Sequence, residues 1–341
     1  MLNTSKSAKF YRLALFSSFF ALLLVMLTAY TRVTELGIGC PDWPGCYGRL
    51  FAPITAKDIE EARRYQPSGA DVDDKAWKDM THRYLAGTLG LLMVRLSFLG
   101  WQLKKRKRNQ QVIIPAAVMA LVFTQAFVGA ATTSIQFKPL VVMGHLIVGL
   151  TVLGLLWWVV LREQRLWKSV PSTPENRHLR PRALFALVLV ATQVLLGGWT
   201  NANHAALACP DFPVCQGAWW PAMNWIDGFT LWRGLGLAYE GDALDLAGAT
   251  AIHMAHRLGA VITLLYIGWL ALHTIRVGFE NNLCRYGLLV LVVLLAEVTL
   301  GVMNVVMHLP VAVAVAHSAG GALLLLALIT LNHAVRSPAP R

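Results

Sequence analysis

Gly39-Cys40-Pro41-Asp42-Trp43-Pro44-Gly45-Cys46-Tyr47-Gly48 recurs, with substitutions, as Ala208-Cys209-Pro210-Asp211-Phe212-Pro213-Val214-Cys215-Gln216-Gly217. The match extends outward. His82-Arg83 returns as His256-Arg257, Gln125 through Gly129 aligns with Glu297 through Gly301, and His145 aligns with His317. Landmarks repeated in one order at nearly constant spacing mark a chain built from one half used twice. The halves are expected at 1–168 and 169–341.

Composition says what each half is made of. Of 341 residues, 56% are hydrophobic and only 14% charged, which places the chain among membrane proteins. Apolar runs lie near 11–30, 83–103, 112–133, 140–161, 183–201, 250–272, 286–306 and 310–332. Each is long enough to cross about 30 Å of hydrocarbon as a helix. Four spans per half is an even number, so both halves enter the membrane from the same side. The fold expected is therefore an all-α polytopic membrane protein of eight transmembrane helices. They form two four-helix bundles related by a pseudo-two-fold axis along the membrane normal. The first run ends in Tyr30-Thr31-Arg32-Val33-Thr34 without an A-x-A-type cleavage site and reads as a retained helix.

The formal net charge of +12 is a topology signal rather than a nucleic-acid footprint. Lys6, Lys9 and Arg12 precede the first span, Lys104 through Arg108 follow the second, and Arg162, Arg165, Lys168, Arg177, Arg180 and Arg182 follow the fourth. Such segments stay in the cytoplasm. The long loops after the first and fifth spans carry Asp71, Asp73, Asp74, Asp242 and Asp245 and belong outside. Both termini are then cytoplasmic, and the membrane expected is the bacterial cytoplasmic (inner) membrane, since no transit peptide precedes the first span. Segment 57–79, which contains Trp77, suits a short helix lying as a lid over a first-half pocket. Segment 216–247, with Trp219, Trp220, Trp225 and Trp232, suits the outer membrane interface.

Cys40 and Cys46, and Cys209 and Cys215, fall in those outer loops, where an oxidising compartment allows two short disulfides. A four-cysteine metal site is the rival. Covalent c-type haem attachment is excluded, because neither pair reads C-x-x-C-H. Cys284 stands alone on the cytoplasmic side.

The repeated histidines carry the chemistry. His82 and His256 open helices at the outer side, and His145 and His317 come early in helices descending from it, so all four lie within about 10 Å of the outer boundary. Ionisable groups at membrane depth face a bundle interior or a cavity. One such histidine often just bonds a carbonyl, but two pairs repeated in register suit two haems, each between two axial imidazoles. Two imidazoles per half with no thiolate nearby suit zinc or copper less well. Gly87, Gly90, Gly149, Gly259 and Gly320 are candidates for leaving room for a macrocycle, or for plain helix contact. Arg83 and Arg257 stand where propionates meet a guanidinium fork or where the side chains snorkel to headgroups.

His253 lies one helical turn before His256 and is a further candidate ligand, whereas Asp79 holds the same place before His82. A carboxylate beside one porphyrin and an imidazole beside the other suggests one haem as substrate and one as resident electron carrier. Asp79 equally fits the first turn of a helix, where the dipole and capping favour it. Glu297 has no charged counterpart, since Gln125 occupies the first-half position, and its role is left open between structure and proton movement.

These residues together resemble haem A synthase along essentially the whole chain. The resemblance rests on Thr31-Arg32-Val33-Thr34 leading to Gly37-Ile38-Gly39-Cys40-Pro41-Asp42-Trp43-Pro44-Gly45-Cys46-Tyr47-Gly48, on both His-Arg helix starts, on Ala208 through Gly217, and on His145 and His317. It implies oxidation of the C8 methyl of haem O to a formyl through successive hydroxylations, giving haem A for a terminal oxidase. It further implies haem b as cofactor on His256 and His317, and substrate haem O on His82 and His145. The family has a glutamate three residues before the first-half histidine. Asp79 stands there, shorter by one methylene, as the catalytic carboxylate, with Glu60 and Glu61 as substitutes. The expected partners are haem O, a haem O synthase (farnesyltransferase), an electron acceptor and membrane lipid, with no nucleic acid. A homo-oligomer is left open. Two other classes remain: a di-haem b electron-transfer protein, which has no use for Asp79, and a histidine-relay transporter, which would carry no haem.

Overall fold

The structure, a computed structural model, describes residues 2–34, 39–65, 72–104, 112–134, 139–163, 174–231, 244–278 and 283–336. The elements are α1 (Leu2–Thr34), α2 (Ala56–Tyr65), α3 (Val72–Lys104), α4 (Ile113–Ser134), α5 (Pro139–Glu163), α6 (Pro174–Ala202), α7 (Trp225–Gly228), α8 (Leu246–Val277), α9 (Cys284–Val306) and α10 (Val311–Ala334). Eight of them, all but α2 and α7, are long and apolar enough to cross a membrane. The chain is a multi-pass, all-α membrane protein. Hydrocarbon offers no partner for backbone N–H and C=O, so each apolar run satisfies its own ladder as a helix.

Several helices outrun their apolar segments. α3 starts at Val72, so Trp77, Asp79 and His82 share one continuous helix. The lid expected over 57–79 is therefore divided: α2 supplies the short helix, while Trp77, 59% exposed, belongs to α3. α8 begins at Leu246, where the Asp245 side chain caps it by accepting from Gly248 N at 2.6 Å. Asp71, Lys105 through Arg108, Arg165, Lys168, Trp232 and Asp242 lie outside the described residues, as do the side chains of Asp73, Asp74 and Arg177.

The chain divides into two compact units, Met1–Val159 and Val160–Arg341. In the first, α3 packs against α1 and α4, and α2 lies on α3. α5 is tied to α4 by Gln125, whose amide donates to the carbonyl of His145 at 2.8 Å. In the second, α6, α8, α9 and α10 form a closed ring in which each packs against the next and α10 returns to α6. Small residues such as Ala251, Ala271, Ala322 and Ala327 are buried at these contacts, while Leu91, Phe127, Leu265 and Val292 face outward. That inversion is what a lipid surround asks for, since helices there associate through close packing rather than by hiding apolar surface.

Each unit carries a disulfide turn, Cys40–Cys46 in one and Cys209–Cys215 in the other. The two turns are built alike. The carboxylate of Asp42 accepts from Tyr47 N (2.6 Å) and Gly48 N (2.8 Å), and that of Asp211 from Gln216 N and Gly217 N (both 2.7 Å). Those amides converge because Tyr47 and Gly48, like Gln216 and Gly217, take positive φ, which explains a glycine at the second place. The bonds that Gly217 N and Gln216 N donate to Asp211 hold its carboxyl below the usual carboxylate range. Trp219 and Trp220 are 73% and 65% exposed beside the second turn, and Trp225 opens α7 with its ring stacked on Phe229.

Candidate functional site

His82 and His256 lie well inside α3 and α8, which begin at Val72 and Leu246, rather than opening those helices as expected, and the four helices bring the histidines together as two pairs. His82 on α3 faces His145 on α5 with ring centroids 6.3 Å apart, and His256 on α8 faces His317 on α10 at the same 6.3 Å. All four rings are partly buried. The separation leaves room for one metal ion between the rings at ordinary imidazole–metal bond lengths of about 2 Å. Among the described residues no group of three or more His, Cys, Asp or Glu converges to cage an ion. A donor set of two opposed imidazoles in a helical bundle fits the axial positions of a haem, whose other four ligands come with the macrocycle.

The surroundings of the rings are asymmetric. His82 Nε2 lies 3.0 Å from Thr28 Oγ1, which is itself 2.9 Å from the Leu24 carbonyl. His145 Nδ1 is buried without a hydrogen-bond partner. In the second unit the Gln193 amide spans His256 Nδ1 (3.1 Å) and the His256 carbonyl (2.9 Å), and His317 Nδ1 lies 3.1 Å from Glu297 Oε1.

Glycines shape these sites, though mostly not those expected from sequence. A Cβ at Gly197 or Gly301 would come 3.0 Å from Cε1 of His256 or His317, and one at Gly129 would come 3.4 Å from His145 Cε1. Gly149, Gly259 and Gly320 instead accommodate Gln125, Gln193 and Glu297, while Gly87 has nothing within 4 Å and Gly90 only Val122 at 3.9 Å. Gly129 and Gly301 sit in the aligned repeat, so their signal was available. Gln193 falls opposite Leu24 and offered none.

The arginines after His82 and His256 clasp the disulfide turns. Arg83 Nη1 donates to the carbonyls of Asp42 (2.6 Å) and Gly45 (2.5 Å), and Nη2 lies 3.0 Å from Asp79 Oδ2. Arg257 donates to the carbonyls of Val214 (2.9 Å), Cys209 (2.9 Å) and Asp211 (2.8 Å). His253, a further candidate ligand by sequence, braces its turn: Cys209 N donates to its Nδ1 at 3.2 Å, and Arg257 Nε is 3.3 Å from its Nε2. Asp79 and His253 thus share a place beside their arginine, but the carboxylate side chain stays 28% exposed while His253 is buried. Glu61 pairs with Arg49 and Glu60 with Arg64, on the exposed face of α2.

Residues 11–329 match the family described as COX15-CtaA, Cytochrome oxidase assembly protein. The chain is 38% identical over 314 residues to the Heme A synthase of Shewanella oneidensis, covering 92% of this chain and 93% of that one. It is 24% identical to the Heme A synthase of Sinorhizobium medicae, covering 89% and 83%, and 24% identical to that of Bacillus licheniformis, covering 87% of each.

Proposed function

Because the chain belongs to the COX15-CtaA family of cytochrome oxidase assembly proteins, we propose that it is a haem A synthase, an oxidoreductase that converts the C8 methyl of haem O to the formyl of haem A. The observation that supports this most is the pair of imidazoles in each unit, both at 6.3 Å between ring centroids. Two such sites serve an enzyme that holds one haem to be oxidised and another to carry electrons away.

In this reading His82 and His145 position haem O, and His256 and His317 hold haem b. Haem b supplies one-electron chemistry when bound. Asp79, one turn before His82 and fixed by Arg83, offers a carboxylate to receive a proton or to stabilise positive charge developing beside the substrate methyl. Arg83 and Arg257 provide positive charge at the outer end of each site, which attracts propionates while most of their N–H groups stay bonded to the turn carbonyls. The disulfide turns they hold lie at that same end. In the same reading both termini are cytoplasmic and the two sites lie toward the outer face of a bacterial inner membrane, an orientation that the basic segments support. A haem O farnesyltransferase supplies the substrate, and an electron acceptor completes the oxidation.

Haem extraction and chromatography of the purified protein, co-expressed with a haem O synthase, test this. Haem b together with haem A or its hydroxylated intermediate is expected. Two equivalents of haem b with no haem O consumed would make the chain an electron-transfer protein. A preparation without a Soret band would favour a transporter.

A further inference from the structure

The two histidine pairs differ in what stands behind the rings, and the difference centres on Glu297. His317 Nδ1 lies 3.1 Å from Glu297 Oε1 and 3.2 Å from the Glu297 carbonyl. Both atoms accept, so the ring proton sits on Nδ1 and the Nε2 lone pair is left for a metal. The other carboxylate oxygen, Oε2, is buried with no hydrogen-bond partner, in space that Gly320 leaves open: a Cβ at 320 would collide with it. A Cβ on the neighbouring Gly321 would come 3.2 Å from Oε1. Within a transmembrane helix, a carboxylate held in a glycine cradle against an imidazole is placed for function rather than for solubility.

The first unit lacks this arrangement. Gln125, in the place of Glu297, turns its amide to the His145 carbonyl, and His145 Nδ1 has no partner. On the opposite ring, Thr28 Oγ1 donates to the Leu24 carbonyl, so His82 Nε2 is the donor in its 3.0 Å contact with Thr28. Metal ligation through that nitrogen must displace the hydrogen bond. Gly197 stands at the corresponding place in the second unit and makes no such competing bond.

We propose that Glu297 is a positioning residue for the resident haem: its carboxylate, bonded to His317 Nδ1–H, strengthens that imidazole as an axial ligand and lowers the reduction potential of the haem it holds. Gln125 leaves His145 a weaker and exchangeable ligand, as a site that must release its product requires. The physical basis is general. A carboxylate on the distal ring nitrogen raises the basicity of the ligating one, and a more basic axial ligand favours the ferric over the ferrous state. This rests on the reading of the second unit as the resident haem site.

The test is a spectroelectrochemical titration of the full-length protein purified with its haem. Glu297→Gln keeps the shape and removes the charge. It is expected to raise the midpoint of the low-spin haem by about a tenfold change in the ferric-to-ferrous binding ratio, about 59 mV for one electron, with the low-spin spectrum kept. Gly320→Ala pushes the carboxylate away without removing it and is expected to shift the midpoint in the same direction. Unchanged midpoints in both variants, with haem retained, overturn the proposal. Should Glu297→Gln lose its haem, the Gly320→Ala titration decides by the same criterion. Full low-spin haem in His317→Ala would show instead that the second unit is not the haem site, and the functional reading would fail together with the role of Glu297.

Discussion

Asp79 Oδ2 and Arg83 Nη2 lie 3.0 Å apart, one turn along α3, and the same guanidinium grips the Cys40–Cys46 turn through the carbonyls of Asp42 and Gly45. In the catalytic role proposed for Asp79, a carboxylate held in this way before substrate arrives saves the cost of orienting it during reaction. Asp79→Ala is expected to retain both haems and to convert haem O about 10²–10⁴-fold more slowly, the range for a positioned acid–base group. Asp79→Glu, longer by one methylene, is expected to keep most of the rate. Haem chromatography at fixed times reads both. Equal product from Asp79→Ala and wild type would return Asp79 to a purely structural part.

Arg257 makes three bonds to turn carbonyls, a fork that lysine cannot copy from a single ammonium. Each charged hydrogen bond not remade costs about 1.5–3 kcal/mol. Arg257→Lys is therefore expected to lower the thermal midpoint at which the purified protein loses its low-spin haem spectrum, while the disulfide stays formed. An unchanged midpoint would mean that the turn is held mainly by the carboxylate of Asp211 and by the bond from Cys209 N to His253.

How far the sequence could be read depended on the kind of contact. The eight spans were legible because their apolar length exceeds anything a soluble core needs, and the histidine pairs because the repeat set them in register. The cysteine pairs were legible for the same reason, and both are disulfides. The extension of α3 back to Val72 was not, since its polar first turns resemble a loop by hydropathy. The clasp of the turns by Arg83 and Arg257 was also hidden. Sequence set them beside haem propionates, but nothing in it shows that the carbonyls of a disulfide turn fold back over the start of α3 or α8. Gln193 and Thr28 lie on helices with no charge or motif to mark them, and only the packing brings them to His256 and His82.

Asp211 gives the second turn a pH dependence with a definite sign. Its bonds from Gly217 N and Gln216 N hold the folded carboxyl below the usual carboxylate range. A depressed folded pKa contributes order that is present above the unfolded value and lost as pH falls through the folded one. The amide resonances of Gln216 and Gly217 are expected to hold steady down to about pH 4 and to move only at more acid pH. In Asp211→Asn that acid transition is expected to vanish, because the amide oxygen still accepts but no longer titrates. A transition of the same midpoint in the variant would assign it to another group.

The glycines against the imidazoles separate the two units most sharply. A methyl at Gly301 or Gly197 would come to 3.0 Å from a ring carbon of His317 or His256, tight enough that the ring must give by a few tenths of an ångström, whereas at Gly129 it would meet His145 at an ordinary 3.4 Å. Overpacking of this kind costs about 1–3 kcal/mol when neighbours must shift. Here the neighbour is a ring that must stay aimed at its partner 6.3 Å away. Gly301→Ala and Gly197→Ala are each expected to lower haem b per protein about 5–150-fold under subsaturating haem, the equilibrium equivalent of that cost. Gly129→Ala is expected to bind haem O as wild type does. Pyridine haemochrome assays on the purified variants read the ratio directly. If Gly129→Ala lost its haem while Gly301→Ala kept it, the ring cradle would be tighter in the first unit, and the assignment of the second unit as the firmly held site would have to be reversed.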